Sequence, residues 1–254
     1  MIFELKNKMP QNSSFLYSED VLTSTTFGNL RYFSNQYILI DFLNESIALD
    51  GKKINLSNDN QFTINFWEKH YNDPSKRYNE TDLVLANDNY AIIIECKYHS
   101  PLGEEYTETD YSNQLIRYSN ILLSEDFANL KKIIIYLTYE KIMPKDILLK
   151  SRKGIDKNIG LYWLSWNKLY LALMKQDKTK LPENESLLYN DLIAFLYKRN
   201  IITFCGFKID NVSCNFHYRK QYKYININYN NEWHYKKYYS YITGRKRITW
   251  RYKK

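Results

Sequence analysis

Asp82, Glu95 and Lys97 are the residues of this chain whose types and spacing could carry out chemistry together. They fall within Glu80 to Tyr98, ETDLVLANDNYAIIIECKY, where two apolar runs, Leu83 to Ala86 and Tyr90 to Ile94, flank Asn87-Asp88-Asn89. Short runs rich in Val, Leu and Ile on either side of residues that tolerate tight turns predict a β-hairpin. If Asp88 and Asn89 form a two-residue loop, Asn87 pairs with Tyr90, and counting outward sets Asp82 opposite Glu95. Period-2 alternation then puts Glu95 and Lys97 on one face. A three-residue loop pairs Asp82 with Ile94 instead and needs a bulge to bring the carboxylates together.

Two carboxylates facing each other at the end of an apolar hairpin repel, and one must take a proton unless a cation lies between them. Asp82, Glu95 and the backbone carbonyl of Cys96 offer hard oxygen ligands of the kind Mg²⁺ or Mn²⁺ accept while keeping waters of their own. Lys97 is then placed to hold an attacking water or the developing charge on a phosphate. The alternative is structural: Asp82 starts a strand, and Glu95 and Lys97 form a solvated ion pair.

Asp82 followed thirteen positions later by Glu95-Cys96-Lys97 resembles the signature of the PD-(D/E)XK nuclease superfamily. That resemblance implies an α/β fold with a restriction-endonuclease-like core, αβββαβ, in which a central mixed sheet is flanked by helices. The helices of that superfamily often contribute a Glu and a Gln; here a candidate first helix carries Glu19, and a candidate second helix carries Gln114, followed by Arg117 and Tyr118. Thr81 stands where the motif's name puts Pro, a position that varies within the superfamily. The implied activity is Mg²⁺- or Mn²⁺-dependent hydrolysis of phosphodiester bonds in nucleic acid, DNA ahead of RNA. Asp82, Glu95, the Cys96 carbonyl and Glu19 would serve the metal, with Lys97 and Gln114 completing the catalytic group. The resemblance spans Ser18 to Glu140, and a restriction-type or antiviral phage-defence effector is the setting it suggests. The competing reading is a partner-activated or catalytically silent nuclease-fold subunit that binds nucleic acid.

The elements that must position these residues follow from patterning. Ser18, then acidic residues and Val21, Leu22, Phe27 and Leu30, predict a capped helix from about Glu19 to Tyr32. Thr23 to Thr26 and Gly28 make it a poor helix by propensity, so packing must support it. Glu19 otherwise simply favours the positive helix N-terminus. Tyr37 to Leu43 is a helix or a buried strand, since so short an apolar run cannot be typed by its period. Phe62 to Trp67 reads as the first strand and Lys69 to Asn79 as a loop. After Lys97, His99 and the acidic Glu104, Glu105, Glu108 and Asp110 read as a solvated loop or a flap lending a carboxylate to a second metal. Tyr111, Leu115, Tyr118 and Leu122 have the spacing of an amphipathic helix over Tyr111 to Leu123, with Gln114 and Arg117 beside the stripe. Lys131 to Tyr139 and Gly160 to Trp166 read as buried strands, with helices at about Asn167 to Lys175 and Glu185 to Arg199.

The charge is distributed unevenly. The chain carries +8 in all, yet Tyr218 to Lys254 holds eleven Lys and Arg against the single acid Glu232, which leaves residues 1–217 at −2. We therefore divide the sequence into a nuclease-like domain, 1–203, and a basic, aromatic-rich C-terminal β extension, 204–254. Phe216, Tyr218, Tyr222, Tyr224, Ile225, Ile227 and Tyr229, with turns offered by Asn230-Asn231 and Thr243-Gly244-Arg245, predict a β-meander or hairpins added to the sheet edge. Arg219, Lys220, Lys223, Lys236, Lys237, Arg245, Lys246, Arg247 and Arg251, interleaved with Tyr and Trp, suit a nucleic-acid surface: cations meet phosphates and rings stack on unpaired bases. Edge protection by lysines over a minor aromatic core is the alternative.

Other classes find no support. With only seven Gly and no G-x-x-x-x-G-K-[ST], the chain does not read as a P-loop NTPase. Cys96, Cys205 and Cys214 are odd in number and lack a Cys-x-x-Cys, which argues against a disulfide framework or a zinc site. No apolar run approaches the roughly eighteen residues of a membrane span, and the start lacks a signal peptide's apolar core. The expectation is a cytoplasmic protein with nucleic acid as partner, no membrane partner, a regulatory or defence-system protein as a further candidate partner, and monomer or homodimer left open.

Overall fold

In a computed structural model, residues 18–57, 61–71, 78–98 and 113–203 are described, together with the backbone of four short strands beyond residue 216. Helix α1, Glu19–Leu30, forms despite its threonines and Gly28 because Leu22, Phe27 and Leu30 are fully buried. Phe27 meets Phe42 and Trp166 at ring-centroid distances of 6.4 and 6.1 Å. Packing, not propensity, holds it. Ser18 occupies the N-cap position without a side-chain capping bond, contrary to the capped helix expected; its carbonyl is taken up by the guanidinium of Arg199 instead. The apolar run after it resolves as helix α2, Tyr37–Leu43.

Strands β1, Ile47–Ala48, β2, Thr63–Tyr71, β3, Tyr78–Ala86, and β4, Tyr90–Cys96, come next. β2 and β3 extend into the segment read as a loop, pairing Lys69 with Glu80, His70 with Asn79 and Tyr71 with Tyr78. Antiparallel pairing satisfies those backbone groups whatever the side chains, so polar composition misjudged where the strands end. Helix α3 is Gln114–Leu122, then β5, Lys131–Thr138, helix α4, Lys145–Arg152, and β6, Gly160–Ser165. Helices α5, Asn167–Met174, and α6, Glu183–Lys198, follow. α3 starts where Asn113 Oδ1 accepts from the Leu115 amide at 3.0 Å, and the expected start, Tyr111, lies outside the described residues.

These strands form a six-stranded mixed sheet in the order β1-β6-β5-β4-β3-β2, in which β4, β5 and β6 run parallel and the other neighbours antiparallel. The central strands are buried on both faces, which is why Ile92-Ile93-Ile94 and Ile133-Ile134-Ile135 are continuous rather than alternating. One face packs Leu83, Leu85, Ile94 and Ile135 against residues of α1, α2, α5 and α6. The other packs Val84, Ile93, Ile134 and Trp163 against residues of α3 and α4. Among the described residues no helix is long and apolar enough to cross a membrane.

The chain divides into two compact units, Met1–Cys205 and Gly206–Lys254. In the second, β7, His217–Arg219, pairs with β8, Tyr224–Asn226, and β9, Tyr238–Ile242, pairs with β10, Arg245–Thr249, each as its own two-stranded sheet. Arg245 faces Ile242, and Thr243 and Gly244 of the expected turn lie outside the described residues. Arg219 faces Tyr224, and Tyr222 lies outside the described residues. Arg219, Arg245, Lys246 and Arg247 lie on strand backbone; Lys220, Lys223, Lys236, Lys237, Arg251 and the Asn230-Asn231 turn lie outside the described residues.

Candidate active site

The hairpin closes in the two-residue register. The Asn87 amide donates to the Tyr90 carbonyl at 3.0 Å, and Asn87 Oδ1 accepts from the Asn89 and Tyr90 amides at 2.9 and 2.8 Å. From there the β3–β4 ladder runs to Leu83–Ile94 and stops one pair short of Asp82 and Glu95. Asp82 Oδ2 instead accepts from the Cys96 amide at 2.8 Å, so a side chain does what a backbone carbonyl would have done. β4 stays joined to β5, with the Lys97 amide donating to the Leu137 carbonyl at 2.7 Å. Alternate residues of a strand turn their main-chain groups to opposite neighbours. The N–H and C=O of Cys96 therefore face the β3 side, where the ladder has ended.

Around that opening the structure gathers side chains from four elements. Glu95 is fully buried, and its Oε1 lies 2.7 Å from Lys97 Nζ. Glu95 Oε2 accepts from the Tyr118 hydroxyl of α3 in a short bond. Glu19, in the first turn of α1, uses both oxygens: Oε1 is 3.3 Å from Lys97 Nζ, and Oε2 accepts from the Tyr98 amide at 2.9 Å. Lys97 thus lies between two carboxylates, with a side chain only 12% exposed.

A further set of contacts holds these groups in place. The Tyr98 hydroxyl donates to the Arg199 carbonyl at 2.8 Å, and the Arg199 guanidinium sits 5.3 Å from the Tyr98 ring and 4.8 Å from the Phe195 ring. Arg199 Nη1 donates to the Ser18 carbonyl at 3.1 Å, the residue before Glu19. Trp166 Nε1 donates to the Lys97 carbonyl at 3.1 Å.

Among the described residues the gathered groups carry more negative than positive charge. Burial, and then the charge of Glu95, push the Asp82 carboxyl up to about 8, against the pull of the Cys96 amide. Burial also raises Glu95, opposed by Lys97 and Tyr118. For Lys97, burial alone would lower the ammonium's pKa, but Glu95, Glu19 and Asp82 outweigh it and hold the group above its usual value. Burial and the Glu95 carboxylate together raise the Tyr118 phenol, so it stays a donor.

Gln114 opens α3 one turn before Tyr118, on the same helix face, and its Oε1 is buried without a hydrogen-bond partner among the described residues. It is thus near Tyr118 along the helix but bonded to none of the gathered groups. His99, Glu104 and Glu105 lie outside the described residues. Two participants escaped the sequence reading as functional residues. Tyr118 reads as one more member of an apolar stripe, although a buried tyrosine hydroxyl needs a partner; Arg199 reads only as a helix end. A second buried carboxylate, Glu185, is structural: Ser34 and Tyr37 satisfy it and tie the start of α2 to α6.

Among the described residues no three His, Cys, Asp or Glu side chains form a metal cage. The donor set of two carboxylates and a main-chain carbonyl fits Mg²⁺ or Mn²⁺, which hold few protein ligands and keep water, and does not fit zinc. The raised Asp82 and Glu95 carboxyls fit such an ion too, since a divalent charge would let both ionise. Compared with known proteins, the chain matches no protein-family model and no curated protein.

Proposed function

We propose that this protein is a metal-dependent nuclease of the PD-(D/E)XK kind, hydrolysing phosphodiester bonds in nucleic acid, DNA ahead of RNA. The observation that carries the reading is the convergence of Asp82, Glu95, Lys97 and Glu19 where the β3–β4 ladder ends. The order α1, β2, β3, β4, α3, β5, with α2 and the two-residue β1 inserted after α1, supports it as well, since that superfamily's core has a helix, three antiparallel strands, a second helix and a fourth strand.

Asp82, Glu95 and the Cys96 carbonyl would hold Mg²⁺ or Mn²⁺. Such an ion, when bound, supplies charge stabilisation at the scissile phosphate and a more acidic water. The residues do the rest. Lys97, drawn toward Glu95 and Glu19, keeps its proton and offers a fixed positive charge to the phosphate oxygens or a donor that aligns the attacking water. Glu19 limits where Lys97 can go. Tyr118 donates to Glu95 Oε2 and so fixes which oxygen is turned to the opening. The basic C-terminal unit supplies the phosphate-binding surface.

The test is cleavage of plasmid, linear duplex, single-stranded DNA and RNA with Mg²⁺, with Mn²⁺ and with chelator. Wild type should cut at least one substrate and lose activity in chelator; Asp82→Ala should be inactive, and Lys97→Ala slower by about 10²–10³-fold while binding normally. Normal cutting by Lys97→Ala would show that the site is misassigned. No cutting of any substrate, with binding retained, would favour the partner-activated or silent subunit.

A further inference from the structure

Trp67 departs from the regular strand around it. It lies inside β2 at φ 51°, a left-handed conformation that a bulky L-residue rarely adopts and that tends to collect at functional sites. It also falls at the one interruption of the β2–β3 ladder: Phe66–Leu83 and Glu68–Thr81 pair on either side, and the missing pair is Trp67–Asp82. Phe66 points into the core, whereas Trp67 is 38% exposed, meeting the Phe66 ring at a centroid distance of 5.5 Å. Two residues further along β2, Lys69 is exposed and its ammonium sits 4.5 Å over the ring of Tyr78, itself 47% exposed. Glu80 faces Lys69 in the register, so this ribbon offers aromatic faces without net positive charge.

We infer that Trp67, with Tyr78 beyond it, is a stacking platform for unpaired bases of a single-stranded nucleic acid entering beside Asp82. The inference rests on the nuclease reading for its substrate and extends it to strandedness. Duplex bases already have both faces covered, so an exposed ring of this kind selects an unstacked strand; phosphate attraction is left to the basic C-terminal unit.

The test is binding of one labelled oligonucleotide, single-stranded and as duplex, to the full chain in chelator across a salt series. Trp67→Ala should weaken single-strand binding roughly 5- to 100-fold, with Trp67→Phe retaining most of the affinity. The plot of log affinity against log salt should shift without changing slope, because stacking releases no counterions. Trp67→Gly controls for folding: glycine tolerates the positive φ, so this variant should melt no lower than Trp67→Ala and bind as weakly. Single-strand affinity of Trp67→Ala within about twofold of wild type would overturn the platform, as would a loss confined to duplex. The two readings fail separately: wild type that cuts nothing while Trp67→Ala loses binding keeps the platform without the nuclease, and wild type that cuts while Trp67→Ala binds and cuts normally keeps the nuclease without the platform.

Discussion

Among the described residues three carboxylates, Glu19, Asp82 and Glu95, meet one ammonium, Lys97, and the burial of Asp82 beside Glu95 decides how the site responds to pH. The folded protein holds a proton on Asp82 up to about pH 8, whereas the unfolded chain releases it near the usual carboxylate value. The folded pKa is the higher one, so stability is lost as pH rises between the two values. In chelator at pH 8, Asp82→Asn should therefore be more stable than wild type by at least about 1 kcal/mol, and the two should converge near pH 4. Asparagine keeps an oxygen for the Cys96 amide, so the comparison isolates the charge. Mg²⁺ should raise the melting temperature of wild type and leave the variant where it was. Melting curves that stay parallel from pH 4 to pH 8 would refute the proton on Asp82. At this scale the hairpin trio was legible because period-2 alternation and a short Asn-Asp-Asn turn fix which side chains face each other. Tyr118 was hidden by its place in an apolar stripe, and Trp67 because alternation reports which face a side chain takes and nothing about φ.

At the scale of elements, α1 is a weak helix that carries Glu19 in its first turn. Its buried face is secured by Phe27, Leu22 and Leu30, but its first turn depends on Arg199 and Tyr98. Arg199 touches no substrate in the proposed reaction, so it acts by positioning. Arg199→Ala should lower stability by about 3 kcal/mol, the scale of breaking a buried charged contact, and speed hydrogen exchange in the first turn of α1. Cleavage should slow chiefly in kcat with KM little changed, and Arg199→Lys, which restores a cation over the Tyr98 ring, should recover part of it. A drop in melting temperature with exchange in α1 and kcat both unchanged would reduce Arg199 to a structural residue. The sequence could not announce this link, since Ser18 and Arg199 are 181 positions apart. Nor did it announce α4, whose eight residues bury only Leu148 and Ser151 and leave little period to read. The long central strands were legible because a run of isoleucines buried on both faces has few other structures open to it.

For the whole molecule, charge and core are divided along the same line. Residues 1–203 carry a formal charge of −2, so the basic surplus belongs entirely to residues 204–254. Ile201, fully buried, is the last core residue among the described residues of the first unit, and the six strands and the helices that pack on both faces of its sheet all precede it. A chain ending at Thr203 should accordingly unfold cooperatively with a melting temperature close to that of the full protein. Its nucleic-acid binding should behave differently. Each phosphate neutralised by a cation contributes about −0.9 to the salt slope on duplex and about −0.7 on single strands. Removing the basic unit should collapse that slope toward zero and raise KM steeply at physiological salt. At low salt and saturating substrate, cutting should persist, because Asp82, Glu95, Lys97 and Glu19 all lie in the retained unit. The salt slope and the saturated rate therefore report on different units. A truncated chain that kept the full slope would place the phosphate surface on the first unit, against its net negative charge; one that lost the saturated rate while still folded would mean that the C-terminal unit contributes to the chemistry itself.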